Sequence, residues 1–363
     1  MEEVKSIVRK AVSRGIKVEL AARIAGMSKS SYYYKPSGGK PGRKPSTHCR
    51  KDDGTFVDNL DVVEQIKSQL SGEFMENGYI KTTYELKDAG FIIGKSKTYR
   101  LMKENRLLLP KRKKAKRSFV KYTQPLPLEP FEKLEMDIKF IYIRGERKNA
   151  LLLTIIDTFT RIALDWKLQY SIRNSSVMNL FIHVIENWLQ DYKPPFDDQV
   201  LVTIRSDNDA RFIANDLKIF MNQNFLNHEF ILPATPTQNA HIESFHSVVE
   251  QLVCKKFEFE NIQHAKETFD RFFQTYNHSR TISSLKFLPP IVFLKQWQAG
   301  NLGVSLRKVN GVIKQKFFFR GQRPKWRSVL PEEICILGKN KNNIENQVIS
   351  FFEVLREVFR DSV

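Results

Sequence analysis

Apolar positions recur at helical spacing through the first hundred residues and at strand spacing soon after. The opening stretch, MEEVKSIVRKAVSRG, reads as an amphipathic helix. In residues 16–34 (IKVELAARIAGMSKSSYYY), Leu20, Ala21 and Ile24 share one helical face. Gly26 then permits a tight turn, and Ser28 can cap a helix carrying Tyr32 and Tyr33. The stretch 37–60 is rich in Gly, Pro and charge and reads as a linker. Three more helices are expected beyond it: DVVEQIKSQL, TTYELKDAG closed by Gly90, and SKTYRLMKENRLL opened by Ser96. Pro125, Pro127 and Pro130 then interrupt regular structure.

From residue 131 the period changes. FEKLEMDIKFIYI, NALLLTIIDTFT and RIALDWKLQY are successive β-like runs, as in an antiparallel meander. SSVMNLFIHVIENWLQDY predicts a helix capped by Ser175 or Ser176, QVLVTIRSDND a buried strand and NDLKIFMNQNF a helix. HEFILPAT reads as a strand, and NAHIESFHSVVEQLVCKKF as a long helix followed by another at 263–277. The order βββαβαβαα is that of an RNase H-like core, an α/β fold with a mixed five-stranded sheet. The expected fold class is thus multidomain. A helix-turn-helix module (1–36), the linker (37–60) and a second helical module (61–108) precede a basic, proline-containing linker (109–130). The α/β core (131–298) and a small C-terminal β or α+β region (299–363) follow. In the last region GVIKQKFFFR suggests strands and NNIENQVISFFEVLREVF an amphipathic helix.

Charge changes this picture from fold to partner. The chain carries a net +19, and residues 1–130 hold 28 Lys/Arg against 14 Asp/Glu. A basic N-terminal third suits a polyanion, and double-stranded DNA is the expected partner. The spacing Ala22, Gly26, Ser28 is that of a helix-turn-helix whose second helix, with Lys29 and Tyr32, can enter a major groove. Arg43 and Lys44 resemble a minor-groove hook, and Lys95, Lys97 and Arg100 would face phosphates from the second module. The run Lys111, Arg112, Lys113, Lys114, Lys116 and Arg117 adds a phosphate-binding tether. No apolar run of membrane-spanning length and no secretion signal occurs, so a cytoplasmic, nucleoid-associated protein without a membrane partner is expected. Cys49, Cys254 and Cys335 form no CxxC pair, which argues against a disulfide framework and a zinc site.

Three carboxylates stand where an α/β sheet collects chemistry. Asp137 falls in the first core strand, Asp207 at the end of the fourth, and Glu243 near the start of the helix after the fifth. Carboxylates are hard oxygen ligands for Mg²⁺ or Mn²⁺, and two such ions can drive phosphodiester displacement.

The surroundings of these residues carry a resemblance. Thirty-five residues separate Asp207 from Glu243 and 69 separate Asp137 from Asp207. TIIDTFTRIALDW (with Asp157 and Arg161), RSDNDARF, TPTQNAHIESFHS and YNHSRTISSLKFLPP resemble motifs of the DDE transposases of the third insertion-sequence family (OrfB type). That family's core is similar to that of retroviral integrases. The likeness runs from about residue 16 to 295 and implies a bacterial-type enzyme that binds terminal inverted repeats, cleaves and transfers strands. It implies Asp137, Asp207 and Glu243 as catalytic metal ligands, two Mg²⁺ ions per site with Mn²⁺ as substitute, and a homodimer or higher oligomer on DNA. Arg280 braces the core or meets DNA. The chain departs from the pattern at Leu134, Asp209 and Glu250. Relatives carry a basic residue at the last of these, so His246, Lys255 or Lys256 would take over its DNA contact. Alternatives are a catalytically inactive or domesticated DNA-binding protein of the same fold, a retroelement integrase, and an RNase H-type nuclease. The integrase would need an HH…CC zinc module that the chain lacks, and the nuclease would not explain the helical modules.

Overall fold

The computed structural model describes residues 2–35, 45–110, 126–190, 202–232, 236–309 and 312–328. The sequence-predicted DNA contacts Arg43, Lys44, Lys111, Arg112, Lys113, Lys114, Lys116 and Arg117 lie outside the described residues, as does the expected C-terminal helix. The chain divides into two compact units, Met1–Thr47 and His48–Val363.

The first unit holds α1 (Glu2–Ser13), α2 (Val18–Ile24) and α3 (Lys29–Tyr33). Val8, Ala21 and Ala22 form its small core, and Tyr32 packs against them. Gly26 takes φ +68, and Ser28 Oγ accepts from the Ser31 amide at 3.1 Å, so the turn and cap are those the sequence predicts.

The second unit opens with β1 (His48–Lys51) and β2 (Phe56–Asp58), within the stretch expected to be a linker. These strands are four and three residues long, too short for alternation to show against the Gly and Asp of their turn. Helices α4 (Asn59–Leu70) and α5 (Tyr79–Asp88), strand β3 (Phe91–Ile92) and helix α6 (Lys95–Glu104) follow. Strands β2, β1 and β3 pair antiparallel in that order. Helix α6 starts one residue before Ser96, with Gly94 at the cap position.

The core sheet comprises β4 (Lys133–Ile143), β5 (Lys148–Asp157), β6 (Ala163–Gln169), then, after α7 (Asn174–Val184), β7 (Val202–Ser206). Helices α8 (Ala210–Ile213) and α9 (Asn215–Gln223) lead to β8 (Leu226–Phe230), and α10 (Ala240–Val249) and α11 (Ile262–His278) complete the core order. The sheet order is β6-β5-β4-β7-β8, antiparallel through β6, β5 and β4 and parallel through β4, β7 and β8. This is the RNase H-like arrangement expected of the core. Arg173, not a serine, precedes α7 and makes no side-chain cap, while Ser176 Oγ bonds Gln169 Oε1 at 3.0 Å. Helix α12 (Pro290–Gln298) leads into the hairpin of β9 (Leu302–Val309) and β10 (Val312–Phe319).

Strand β5 shows how the core is built. Leu151, Leu153 and Ile155 enter the cluster beneath α7, α9 and α12, whereas Ala150, Leu152 and Ile156 enter the one beneath α10 and α11. A strand covered on both faces reads as a continuous apolar run, and LLLTII is one. Strand β4 divides likewise: Leu134 and Met136 face the first cluster, Ile141 and Ile143 the second. Alternation therefore puts Glu135, Asp137 and Lys139 on the α10 face. Within this unit α5 is tied to the C-terminal segment by Arg323–Asp88 at 2.5 Å and Arg327–Glu85 at 3.4 Å, and Tyr84 stacks on Phe287 at 3.9 Å. No helix among the described residues is long and apolar enough to cross a membrane.

Candidate active site

Parallel pairing of β4 with β7 matches Lys133 to Thr203, Leu134 to Ile204 and Glu135 to Arg205. Two residues further along each strand stand Asp137 and Asp207. Asp137 lies on the β4 face turned to α10, and Asp207 directly follows Ser206, the last residue of β7. Their charges interact. Burial pushes the Asp207 carboxyl up and the charge of Asp137 adds to it, against the opposing hydrogen bond from the Asp209 amide at 3.2 Å and the Arg211 charge.

Helix α10 is fastened to β4 in register. Glu135 Oε2 accepts from the Ile242 amide at 2.8 Å, His246 Nδ1 lies 3.4 Å from Asp137 Oδ2, and Lys139 Nζ lies 3.0 Å from Glu250 Oε2. Steps of two along a strand (about 6.6 Å) and four along a helix (about 6 Å) nearly match, so the ladder stays in step for three rungs. Glu135 is 1% exposed, and burial pushes its carboxyl up to about 7 against the Ile242 hydrogen bond and the Arg205 and Arg161 charges. Arg205 also donates to Gln238 O at 2.8 Å and to Glu229 Oε2 at 3.0 Å, which fixes the chain entering α10. Glu243, exposed on the first turn of α10, stands one turn before His246 and so on the Asp137 side of the helix. The structure thus brings the charges of Asp137 and Asp207 within reach of each other, while Glu243 lies exposed on α10. Among the described residues no three His, Cys, Asp or Glu side chains are gathered as a ready metal cage.

The departures from pattern find partners. Asp209 caps α8 by accepting from the Arg211 amide at 2.9 Å, and it pairs with the Arg211 guanidinium, which holds its carboxyl below the usual range. Glu250 is matched by Lys139. His246 turns to Asp137, with its Nε2 buried and unpartnered, while Lys256 pairs with Glu76 at 3.6 Å and Lys255 is exposed.

The remaining predicted DNA contacts are scattered. Lys29 is exposed and Tyr32 half-buried in its own core. Lys95 lies over the Tyr84 ring, Lys97 donates to His48 O at 2.5 Å, and Arg100 pairs with Glu104 at 3.8 Å. Arg280 is half-buried with a buried, unpartnered Nη1. Sequence reasoning missed Glu135, Lys139 and Arg205. Their signal was available in the alternation Glu135-x-Asp137-x-Lys139, a polar face on a strand whose other face is apolar.

Several known proteins are similar to parts of this chain. The family model described as "Integrase core domain" matches residues 225–290, a segment that includes Glu243 and Arg280. An uncharacterized 39.2 kDa protein of insertion element IS476 from Xanthomonas euvesicatoria is 28% identical over 207 residues, 57% of this chain and 57% of that protein. The match thus spans a little over half of that relative's length. An uncharacterized 31.7 kDa protein of insertion element IS407 from Burkholderia multivorans is 25% identical over 232 residues, 64% of this chain and 80% of that protein. Among solved structures, the catalytic domain of Mos1 mariner transposase is 14% identical, with a TM-score of 0.35 and coverage of 46% of this chain and 79% of that one. The chain is thus similar to insertion-element proteins, and its residues 225–290 match an integrase core model.

Proposed function

We propose that this protein is a DNA transposase that binds the ends of its element, cleaves there and joins the freed 3′ ends to another phosphodiester. Asp137, Asp207 and Glu243 are the catalytic metal ligands in this reading. The observation that carries it is Asp137 on β4 beside Asp207, which directly follows the paired strand β7, with the Asp137 charge acting on the Asp207 carboxyl. The donor set fits Mg²⁺ or Mn²⁺, since all three groups offer hard carboxylate oxygens and two of them already repel each other. When bound, a pair of such ions activates the attacking oxygen and stabilises the leaving one.

The chain's own residues do the positioning. Glu135 and Arg205 hold the start of α10 against the sheet and so fix where Glu243 stands. His246 braces Asp137 from the same helix. Lys139 offsets the Glu250 charge, which would otherwise repel a phosphate approaching that flank. Double-stranded DNA would be bound by the basic N-terminal third, through Lys29 and the charges of the helical modules. Bringing two element ends together requires a homodimer or higher oligomer on DNA.

Glu243→Gln tests the assignment in Mg²⁺ with end-containing duplexes. Loss of both end cleavage and strand transfer, with end binding retained, is the expected result. Retained activity removes Glu243 from the triad. A native chain that binds ends but never nicks them would be a DNA-binding protein of this fold without its chemistry.

A further inference from the structure

On the flank of α10 turned away from Glu243 lies a cavity of about 210 Å³. It is enclosed by four parts of the second unit. Lys81 comes from α5, Arg161 from the β5–β6 turn, His241 and Ser244 from α10, and Tyr276 and Arg280 from the end of α11. Three lining residues are cationic types, and among the described residues that line it there is no Asp or Glu. Both guanidinium groups present a buried Nη1 that has no hydrogen-bond partner. A buried N–H of a charged group left unsatisfied is costly, and it calls for a partner such as a water or a bound ion.

The backbone at Arg161 points the same way. It takes φ +64, a conformation that favours glycine and costs a side-chain-bearing residue on the order of 1 kcal/mol or more. The turn enforces that shape. The buried Asp157 carboxylate accepts from the amides of Phe131, Phe159 and Thr160 and from Thr160 Oγ1, and the Arg161 amide bonds Asp157 O at 2.9 Å. An arginine in that position delivers its guanidinium to the cavity at a conformational cost that glycine would avoid.

We propose that this cavity binds a phosphate group, held by Lys81, Arg161 and Arg280 and bridging α5 to the core. A tetrahedral oxyanion offers enough acceptor oxygens for two guanidinium groups and an ammonium at once, with the hydroxyls of Ser244 and Tyr276 nearby. Burial dominates the electrostatics of these cations. Burial and then the Arg280 charge pull Lys81 down to about 7, with Glu85 opposing, and burial lowers the Arg280 guanidinium despite Tyr276, Glu76 and Glu85. Burial, followed by the Arg161 and Arg205 charges, holds His241 at about 3, so this ring is a neutral wall. The source of the phosphate is either free inorganic phosphate or one backbone phosphate of DNA, and the chemistry of capture is the same. Capture does not depend on the carboxylates of the opposite flank, so a Glu243→Gln chain keeps it.

Isothermal titration of the full chain with inorganic phosphate, at constant ionic strength set by chloride, tests this. One phosphate per chain is expected. Arg280→Gln and Lys81→Met should each weaken binding at least about tenfold, the scale of one charge-assisted hydrogen bond. Far-ultraviolet circular dichroism checks that the variants fold. Acetylation of Lys81 in the native chain, read by mass spectrometry, gives a measure that needs no variant, and phosphate should protect the lysine where chloride does not. Absence of both binding and protection overturns the pocket, and so does unchanged affinity in two folded variants. Duplex DNA that displaces phosphate and itself protects Lys81 marks a backbone phosphate as the ligand. Phosphate binding undisturbed by DNA marks the free ion.

Discussion

The two flanks of α10 are built on opposite electrostatic plans. On one, strand β4 meets the helix rung by rung through Glu135, Asp137 and Lys139, and each charge touches a group suited to it. What remains there is an excess of carboxylate, with the charges of Asp137 and Asp207 interacting and Glu243 exposed on the helix. On the other flank, Lys81, Arg161 and Arg280 surround a cavity without a carboxylate in its described lining. One helix thus separates a place that wants a cation from a place that wants an anion. The difference teaches that one helix can carry opposite electrostatic surroundings on its two flanks.

The largest effect should come from breaking the acidic side. Asp207→Asn removes one of two adjacent carboxylates, and strand cleavage should fall at least about a thousandfold, equivalent to several kcal/mol of transition-state stabilisation. The same change relieves repulsion with Asp137, so thermal melting should rise or stay level while activity is lost. A large fall in melting temperature would mean that Asp207 serves the fold and not the chemistry. Next in size is the rung that sets the helix. Glu135→Ala leaves the Ile242 amide unpaired and the Arg205 and Arg161 charges without their buried counter-ion. Such losses cost about 3–5 kcal/mol, to be read by urea denaturation. Stability within about 1 kcal/mol of the native chain would show that α10 is held by its apolar face alone.

The core was legible because its signals are local and long. Ten-residue β5 reads as a run of apolar side chains, and the spacing of Asp137, Asp207 and Glu243 is a matter of counting. Short β1 and β2 were not legible: His48–Lys51 reads HCRK, with one buried residue, and it is a strand because it pairs with Phe56–Asp58 on one side and with Phe91 and Ile92, some forty residues on, on the other. Electrostatic partners were hidden for the same reason. Glu250 looks like a misplaced acid in sequence, and only the strand–helix register brings Lys139 to it from 111 positions away. The cavity is a still more distributed object. Arg161 and Arg280 stand out in the motifs, but nothing local says that Lys81 of a separate helical module closes the space between them.

The cationic flank can be sharpened through Lys81. Its folded pKa of about 7 lies below its ordinary value of 10.5, so between these values the unfolded chain binds the proton and the folded chain does not. Stability from this group therefore rises as pH climbs from about 7 to about 10.5. Arg280 and Glu85 are the charged neighbours that modulate it, and Lys81→Met deletes the contribution altogether. Urea denaturation at about pH 7 and about pH 9 should show the native chain gaining on the variant at the higher pH. Bound phosphate should flatten that gain by favouring the charged lysine. A difference between native and variant that does not change with pH would place an ordinary, solvated ammonium at position 81.

The smallest effect tests the rung most exposed to solvent. The Lys139 and Glu250 side chains are 20% and 43% exposed, so their 3.0 Å contact is screened and its coupling should be only about 0.2–1 kcal/mol. A double-mutant cycle with Lys139→Met and Glu250→Gln measures that coupling in stability, and raising the salt should shrink it. The same cycle in end binding carries the sharper distinction. Glu250→Gln leaves the Lys139 ammonium without its carboxylate, so DNA affinity should rise. Lys139→Met leaves the carboxylate uncovered on the acidic flank, so affinity should fall. Opposite signs from two partners of one weak ion pair would mean that the pair balances charge for a passing phosphate. Equal falls in both would mean that it merely props the helix, and the acidic flank would then have no neutralising device of its own.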